Sequence, residues 1–217
     1  MIKAVIFDMD GLLIDSEPLW QEAEVNEFIK VGVPISKERA EETMGLRIDM
    51  VVEYWFSRYP WKNISKEIVE KNVIENVIEI IKIKGKAMPG VEKIAEFFTK
   101  EKIPIAIASA SPIEIIKVVL GKILIGKYIK IICSAENELF SKPHPGVYLT
   151  AANKLGVKVE DCLVFEDTVN GLIAAKAAQM KCVAVPNKFN KGDKRFCVAD
   201  MVIPSLKDFH SEYLKNL

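Results

Sequence analysis

Acidic and polar side chains follow several short apolar runs of this sequence, at the points where the runs end. They are two aspartates near the N-terminus, a pair of serines, a lysine and a second acidic pair: Asp8 and Asp10, Ser109 and Ser111, Lys142, and Glu166 and Asp167. If the runs are parallel strands, these side chains meet at one edge of a sheet, where open α/β folds bind ligands. Four carboxyl groups brought together repel one another and resist joint ionisation. A hard divalent cation removes that conflict, and carboxylate oxygens suit Mg²⁺, so the sequence predicts a magnesium site.

The same residues could bind an anion and attack it. The segment Ser111–Glu114 matches the N-cap, N1 and N3 positions of a capping box, which predicts a helix beginning there. Its free amides and the Ser109 hydroxyl would form an anion site. Lys142 precedes a proline, which favours an extended backbone and could direct the ammonium group to the same anion. Phosphate fits such a site, and one carboxylate would remain free to attack phosphorus and form an aspartyl-phosphate.

Six short runs rich in β-branched and other apolar residues are typical of buried strands. They are Ala4–Phe7, Ile103–Ala108, Ile129–Cys133, Cys162–Phe165, Cys182–Val185 and Met201–Ile203. Segments of helical period or composition separate them, including an expected helix from Thr168 to Gln179. This alternation predicts an α/β fold with a Rossmann-like parallel sheet core and helices on both faces.

The pattern changes between the first and second runs. No strand-like run occurs over residues 16–85, where three or four helical stretches follow one another. The last of them, expected over Ser65–Lys84, has a capping serine, apolar residues at helical spacing and a glycine after its end. We therefore expect residues 16–85 to form an all-helical cap domain inserted after the first strand. Residues 1–15 and 86–217 would form the catalytic core.

The composition and charge of the 217-residue chain exclude several other kinds of protein. It has 30 basic and 30 acidic residues and is 50% apolar, which is ordinary for a globular protein with one substantial core. Because binding many phosphates needs a basic face, zero net charge without a basic block argues against a nucleic-acid partner. No apolar run reaches the roughly 18 residues of a membrane span, so we expect a cytoplasmic protein without a membrane partner. Nothing in the pattern demands more than a monomer, which is the oligomeric state we expect. Four cysteines lack metal-ligand spacing and are interpreted as reduced core residues: Cys133, Cys162, Cys182 and Cys197.

Four short segments resemble, in order and context, the motifs of the haloacid dehalogenase superfamily. They are Asp8–Gly11, Ser109, Lys142–Pro143 and Glu166–Asp167, and the resemblance covers essentially the whole chain. The segment Phe7–Glu17, with a helical insertion directly after it, resembles the branch that contains β-phosphoglucomutase and small sugar-phosphate phosphatases. Further segments look most like bacterial hexitol and 2-deoxyglucose-6-phosphate phosphatases: Pro18–Trp20, Gly45–Val51, Ala108–Pro112 and Ser141–Pro145.

The resemblance implies a Mg²⁺-dependent phosphatase that acts on a small phosphorylated metabolite, a sugar or sugar-alcohol phosphate. Asp8 would be the nucleophile, and Asp10 would serve as general acid and then general base. Ser109 and Lys142 would bind the transferring phosphoryl oxygens. Four residues would hold the metal ion: Asp8, Asp10 through its backbone carbonyl, Asp167, and Glu166 directly or through water.

Two residues of the predicted cap are further candidates for substrate contacts. Trp20 could stack on or shield a substrate, and Arg47 could bind its hydroxyls or phosphate. Each also has a purely structural interpretation, since Trp20 could pack beneath the cap and Arg47 could be a solvated helix residue. We expect Trp55 and Trp61 to lie in the core of the cap.

Several alternative activities stay open. A β-phosphoglucomutase-like phosphomutase would keep the phospho-aspartate, but that family has a histidine where this chain has Trp20. A nucleotide such as pseudouridine 5′-phosphate is another candidate substrate, because Met9–Leu13 and Leu163–Asp167 also resemble that family. A dehalogenase would need neither Mg²⁺ nor Asp10. A non-catalytic binding module is disfavoured because every catalytic position is filled.

Overall fold

A parallel sheet with the N-terminal strand near its centre organises the chain. The computed structural model describes residues 1–215 and 217. Six strands lie in the order β3-β2-β1-β4-β5-β6, and every neighbouring pair is parallel. The strands are Ala4–Phe7 (β1), Ile105–Ser109 (β2), Ile129–Ser134 (β3), Cys162–Glu166 (β4), Lys181–Ala184 (β5) and Met201–Val202 (β6). All six predicted strands are confirmed, with ends displaced by at most two residues.

Helices cover both faces of the sheet, as predicted. They are Glu17–Lys30 (α1), Lys37–Ala40 (α2), Ile48–Arg58 (α3), Lys66–Lys84 (α4), Val91–Lys100 (α5), Ile113–Lys122 (α6), Gly146–Leu155 (α7) and Val169–Ala177 (α8). Successive residues of β1 point to opposite faces: Phe7 joins the apolar cluster that includes α5 and α6, and Ile6 joins the cluster that includes α7 and α8. β1 is buried on both sides, which explains its unbroken apolar sequence.

Four helices, α1 to α4, lie between β1 and α5 in the chain. The Ser65 hydroxyl accepts a hydrogen bond from the Ile68 amide at the start of α4, and the helix ends at Lys84, as predicted. Trp55 and Trp61 are buried in this helical segment and pack around Phe28. None of the described helices is long and apolar enough to cross a membrane.

Three details of the sequence interpretation need correction. The capping box at Ser111–Glu114 is wrong, because α6 begins at Ile113 without a side-chain cap and the Ser111 hydroxyl donates to a carboxylate instead. The helix expected from Thr168 to Gln179 covers Val169–Ala177, with Thr168 as its N-cap. All four cysteines are free, but Cys197 is exposed and does not belong to the core.

Candidate active site

The carboxyl ends of three neighbouring strands bring the predicted site residues together. Asp8 follows β1 directly, Ser109 is the last residue of β2, and Glu166 is the last residue of β4. Phe7 pairs with Ile107 and with Phe165 in the sheet, so the three strands end at nearly the same level. The site therefore lies at the edge of the sheet where parallel α/β proteins bind ligands.

A buried lysine joins two of the carboxylates. The Lys142 ammonium donates to Oδ1 of Asp8 at 2.6 Å, to Oε1 of Glu166 at 2.7 Å and to the Ala108 carbonyl at 3.1 Å. Burial opposes the charge on Lys142, but attraction to Asp8 and Glu166 outweighs it and raises the pKa of the ammonium group. Burial also raises the pKa of Asp8 to about 7, although Lys142 acts in the opposite direction. The protein thus fixes one positive charge beside the Asp8 carboxylate.

Glu166 is the most heavily hydrogen-bonded carboxylate of the site. Its Oε1 accepts from Lys142 and, at 2.6 Å, from the Tyr148 hydroxyl, and its Oε2 accepts from the Asp167 amide and from the amide and hydroxyl of Thr168 at 3.0 Å each. Through these hydrogen bonds, Glu166 positions both Lys142 and the turn after β4. Sequence reasoning missed Tyr148, since a tyrosine inside a helix gives no local sign of a contact with a distant strand.

Asp167 is buried with one carboxylate oxygen unpaired. Its Oδ2 accepts from the Asn187 side-chain amide at 2.6 Å, whereas no hydrogen-bond partner reaches Oδ1 from the described residues. Burial, with repulsion from Asp8 and Glu166, raises the pKa of Asp167 well above its usual value. Oxygen atoms of Asp8, Glu166 and Asp167 lie within 4.8 Å of one another. A free buried oxygen in such a carboxylate cluster fits a hard divalent cation.

The backbone at Gly11 lies close to the side chain of Asp167. A Cβ atom at Gly11 would overlap Oδ2 of Asp167, and the φ angle of Gly11 is 77°. Both the space and the left-handed conformation favour glycine here. The glycine that follows the two aspartates in the sequence therefore leaves room for the second acidic pair.

Asp10 is held by four side chains from two parts of the fold. Ser16 and Trp20 donate to its Oδ1 at 2.7 and 3.1 Å, while Ser109 and Ser111 donate to its Oδ2 at 3.2 and 2.7 Å. Ser16 and Trp20 belong to the start of α1, and the other two serines belong to the end of β2 and the loop after it. The carboxylate of Asp10 thus links the helical segment to the sheet.

The two predicted cap residues are placed differently. Trp20 lines the cavity above the carboxylates. The Arg47 guanidinium forms a bidentate ion pair with Asp49 at 2.7 Å and donates to the carbonyls of Ala135 and Glu138 at 2.8 and 3.0 Å. Arg47 does not line the cavity; it fastens the start of α3 to the segment that follows β3. Asp49, two positions away, was the sequence signal for this pairing.

The cavity has a volume of about 50 Å³, which is room for a few water molecules. At the sheet end it is lined by Asp8, Asp10, Lys142 and Ser109. One face of α1 forms much of the opposite wall, with the polar side chains Glu17, Gln21 and Glu24, which sequence reasoning also missed. Burial raises the pKa of Glu17 and that of Glu24 to about 8, with repulsion from neighbouring carboxylates adding to both. Glu17, Gln21 and Glu24 are spaced by four and three residues, and this helical spacing is the sequence pattern that could have identified them as one face.

A family model described as a haloacid dehalogenase-like hydrolase matches residues 2–179. The chain belongs to this family. This haloacid dehalogenase-like hydrolase is 42% identical to hexitol phosphatase B of Escherichia coli K12 over 214 residues, covering 98% of this chain and 96% of that protein. It is 31% identical to a probable pseudouridine-5′-phosphatase of Drosophila melanogaster, covering 95% of this chain and 91% of the relative.

The fold of this hydrolase also matches solved structures. A crystal structure of β-phosphoglucomutase from Clostridium difficile superposes with a TM-score of 0.84 at 26% identity, covering 99% of this chain and 96% of the other. Together with the phosphatase relatives, this match confirms the predicted superfamily, the α/β fold with a parallel sheet, and a phosphoric monoester hydrolase.

Proposed function

We propose that the protein is a Mg²⁺-dependent phosphatase that hydrolyses small sugar or sugar-alcohol phosphates through an aspartyl-phosphate on Asp8. The observation that carries the proposal is the pairing of Asp8 with the buried Lys142 cation, next to Asp167 and its unpaired oxygen. A nucleophile and a positive charge for phosphoryl oxygens thus share one cavity, and a carboxylate oxygen of Asp167 lies within 4.8 Å of one of Asp8. The 42% identity to hexitol phosphatase B supports the substrate class.

In the first step, an Asp8 oxygen attacks phosphorus and the bond from phosphorus to the ester oxygen breaks. Lys142 binds Oδ1 of Asp8, which leaves Oδ2 to attack. Asp10 gives its proton to the departing alkoxide, so that a neutral alcohol leaves. The Lys142 ammonium and the Ser109 hydroxyl bind the phosphoryl oxygens on which negative charge gathers.

In the second step, water attacks the phospho-aspartate. Asp10 accepts a proton from that water as the bond from phosphorus to Asp8 breaks, which restores the Asp8 carboxylate and releases inorganic phosphate. The hydroxyls of Ser16 and Ser111 and the Trp20 indole hold Asp10 in one orientation through both steps. One carboxyl group can therefore serve as acid and then as base.

Asp8, Asp167 and the Asp10 backbone carbonyl would hold Mg²⁺, with Glu166 as a direct or water-mediated ligand. The unpaired Oδ1 of Asp167 and the clustering of three carboxylates support this ligand set. When bound, Mg²⁺ supplies positive charge that offsets both the carboxylates and the phosphoryl oxygens. Five donors already bind Glu166, so its main contribution within the chain is to position Lys142.

The arrangement of helices supports a cap over this site. We assign residues 16–85 to the cap and residues 1–15 and 86–217 to the core. The cap supplies Trp20 and the polar face of α1 to the cavity wall. A monomer suffices, because one chain provides every residue of the proposed mechanism. We assign the proposed activity to the cytoplasm, where small phosphorylated metabolites are solutes.

The test is a phosphate-release assay on 2-deoxyglucose 6-phosphate, sorbitol 6-phosphate, a pentose phosphate and a nucleoside monophosphate, with Mg²⁺ or with EDTA. We expect Mg²⁺-dependent release that is fastest on the sugar and sugar-alcohol phosphates. Asp8→Asn should abolish it, and Asp15→Asn, at an exposed aspartate nearby, should not. Fastest release from the nucleotide would replace the substrate class, as the similarity to a probable pseudouridine-5′-phosphatase allows. No release from any monoester would overturn the proposal.

A further inference from the structure

One face of α1 carries three polar side chains into the cavity. Glu17, Gln21 and Glu24 are separated by four and three residues, so they lie in a row on the same side of the helix. With a rise of 1.5 Å per residue, the row extends about 10 Å from Glu17 to Glu24. Glu17 stands near Asp8 and Asp10, whose charges act on it. Glu24 therefore lies at the end of the row away from the proposed phosphoryl site.

Two atoms in this row are buried without a partner. Gln21 is 8% exposed and Glu24 is 6% exposed, and both residues line the cavity. The Gln21 Nε2 and the Glu24 Oε2 atoms find no hydrogen-bond partner among the described residues. Several other residues that line the cavity are apolar, including Ala40, Ile48 and Val51. Since buried polar groups are normally paired with protein or ordered water, these two atoms form a polar position in the cavity wall that hydroxyl groups of a ligand can occupy.

The chemistry of the two atoms selects the kind of ligand. An amide nitrogen donates, and a carboxyl oxygen accepts or, when protonated, donates. A hydroxyl group can accept from Gln21 and also donate to Glu24, so neighbouring hydroxyls satisfy both. A second phosphate does not fit, because Lys142, at the sheet end, is the one basic residue among the described residues that line the cavity. The row thus favours a neutral, hydroxylated chain over a bisphosphate.

We propose that Gln21 and Glu24 form a hydroxyl-binding subsite, which selects phosphate monoesters whose neutral polyol chain extends along α1 from the phosphoryl site. This inference rests on the proposed phosphatase function and specifies the substrate class further. Burial raises the pKa of Glu24 to about 8, so near neutral pH its carboxyl group is largely protonated and can both donate and accept. The subsite therefore binds hydroxyls without placing a full negative charge in an apolar wall.

The experiment compares sorbitol 6-phosphate with its 1,2-dideoxy analogue, which lacks the two hydroxyls farthest from the phosphate. We expect wild type to prefer the parent compound by at least roughly tenfold in kcat/KM, the value of a modest buried hydrogen bond. Glu24→Leu and Gln21→Leu should each bring the ratio of kcat/KM on the parent compound to kcat/KM on the analogue close to one. Glu24→Gln keeps a group that donates and accepts, so it should retain most of the preference. If Glu24→Leu does not fold, the proposal can still be tested, because Gln21→Leu and the preference of wild type for the parent compound are measured independently of that variant.

Glu27→Leu is the matched control. Glu27 is a buried carboxylate on the same helix, but it pairs with Lys30 and Asn76 and does not line the cavity. This variant should keep the wild-type ratio even if it lowers the melting temperature. Equal wild-type rates on parent and analogue, or an unchanged ratio in both leucine variants of the row, would overturn the subsite. Absence of Mg²⁺-dependent release from every monoester would instead overturn the phosphatase proposal itself.

Discussion

The indole nitrogen of Trp20 donates a hydrogen bond to Oδ1 of Asp10 at 3.1 Å. Trp20 belongs to α1 in the proposed cap, and Asp10 belongs to the segment directly after β1. The opposite oxygen of Asp10 is bound by Ser111 at 2.7 Å. Placement of α1 and orientation of the proposed general acid are therefore coupled.

Trp20→Phe tests this coupling, since phenylalanine keeps the ring and removes the donor. We expect kcat for the best substrate to fall by roughly tenfold, because one hydrogen bond to a charged group is lost. Steady-state kinetics measure the effect. Trp55→Phe is the control, because Trp55 is buried beside Phe28 and does not line the cavity, so it should affect the melting temperature more than kcat. Wild-type kcat in Trp20→Phe would contradict an orienting role.

Gly11→Ala should disable the proposed metal site. The added Cβ would overlap Oδ2 of Asp167 and displace that carboxylate. We expect at least a tenfold loss of Mg²⁺-dependent activity and a weaker rise in melting temperature when Mg²⁺ is added. Gly32→Ala is a matched control, since Gly32 also has a positive φ of 86° but meets nothing within 4 Å. Equal losses in the two variants would mean that backbone strain, and not Asp167, explains the effect.

Magnesium binding should raise the stability of the protein through Asp167. A ligand at about 100 times its Kd adds about 2.7 kcal/mol to the free energy of unfolding, which corresponds to several degrees in a chain of this length. We expect that rise for wild type in thermal unfolding and little of it for Asp167→Asn. Asp161→Asn, which changes a surface aspartate paired with Lys3, should keep the full rise. An undiminished rise in Asp167→Asn would place the metal elsewhere.

Arg47 should control how readily the proposed cap opens. The bonds from Arg47 to the carbonyls of Ala135 and Glu138 join the proposed cap to the core, so they oppose any movement of the cap that admits substrate. Arg47→Leu should raise KM roughly tenfold by weakening closure over bound substrate. It should also speed hydrogen exchange of backbone amides near residues 45–48. Arg58→Leu, at the opposite end of α3 and bound to the Tyr54 carbonyl, is the control.

The stability of Glu24→Gln relative to wild type should depend on pH. The pKa of Glu24 is about 8 in the folded protein against the usual 4.5, so between these values the folded state retains a proton that the unfolded state has released. Raising the pH through this window therefore destabilises wild type. In EDTA, we expect similar melting temperatures for the two proteins near pH 4.5, and an advantage of several degrees for the variant at pH 8.

Gln21→Leu provides the control for this titration. It removes a neighbouring buried polar side chain that does not ionise, so its shift in melting temperature should be the same at both pH values. A difference between Glu24→Gln and wild type that stays constant with pH would contradict the raised pKa of Glu24.

The strands and the residues at their ends were predictable because both depend on local signals. An apolar run such as Ala4–Phe7 marks a strand by itself, and the polar residues after parallel strands must share one edge. The network around Asp10 was not predictable in this way. The Ser111 hydroxyl could either cap a helix or bind a carboxylate. It binds Asp10 because the fold brings that carboxylate within hydrogen-bond distance, which the local sequence does not indicate. Arg47 likewise finds its carbonyl partners some 90 residues away in the sequence.

An isolated antiparallel β-bridge joins Ile14 to Ala87, close to the two ends of the proposed cap insertion. The Asp15 amide donates to the Lys86 carbonyl, and the Met88 amide donates to the Leu13 carbonyl. The segment that leaves the sheet and the segment that returns to it therefore run side by side. An insertion whose ends are already adjacent can be lengthened, shortened or exchanged without altering the sheet. Selectivity for the organic part of a substrate, which we assign to the proposed cap, can thus change by exchange of one segment, while the residues proposed for phosphoryl transfer stay in place.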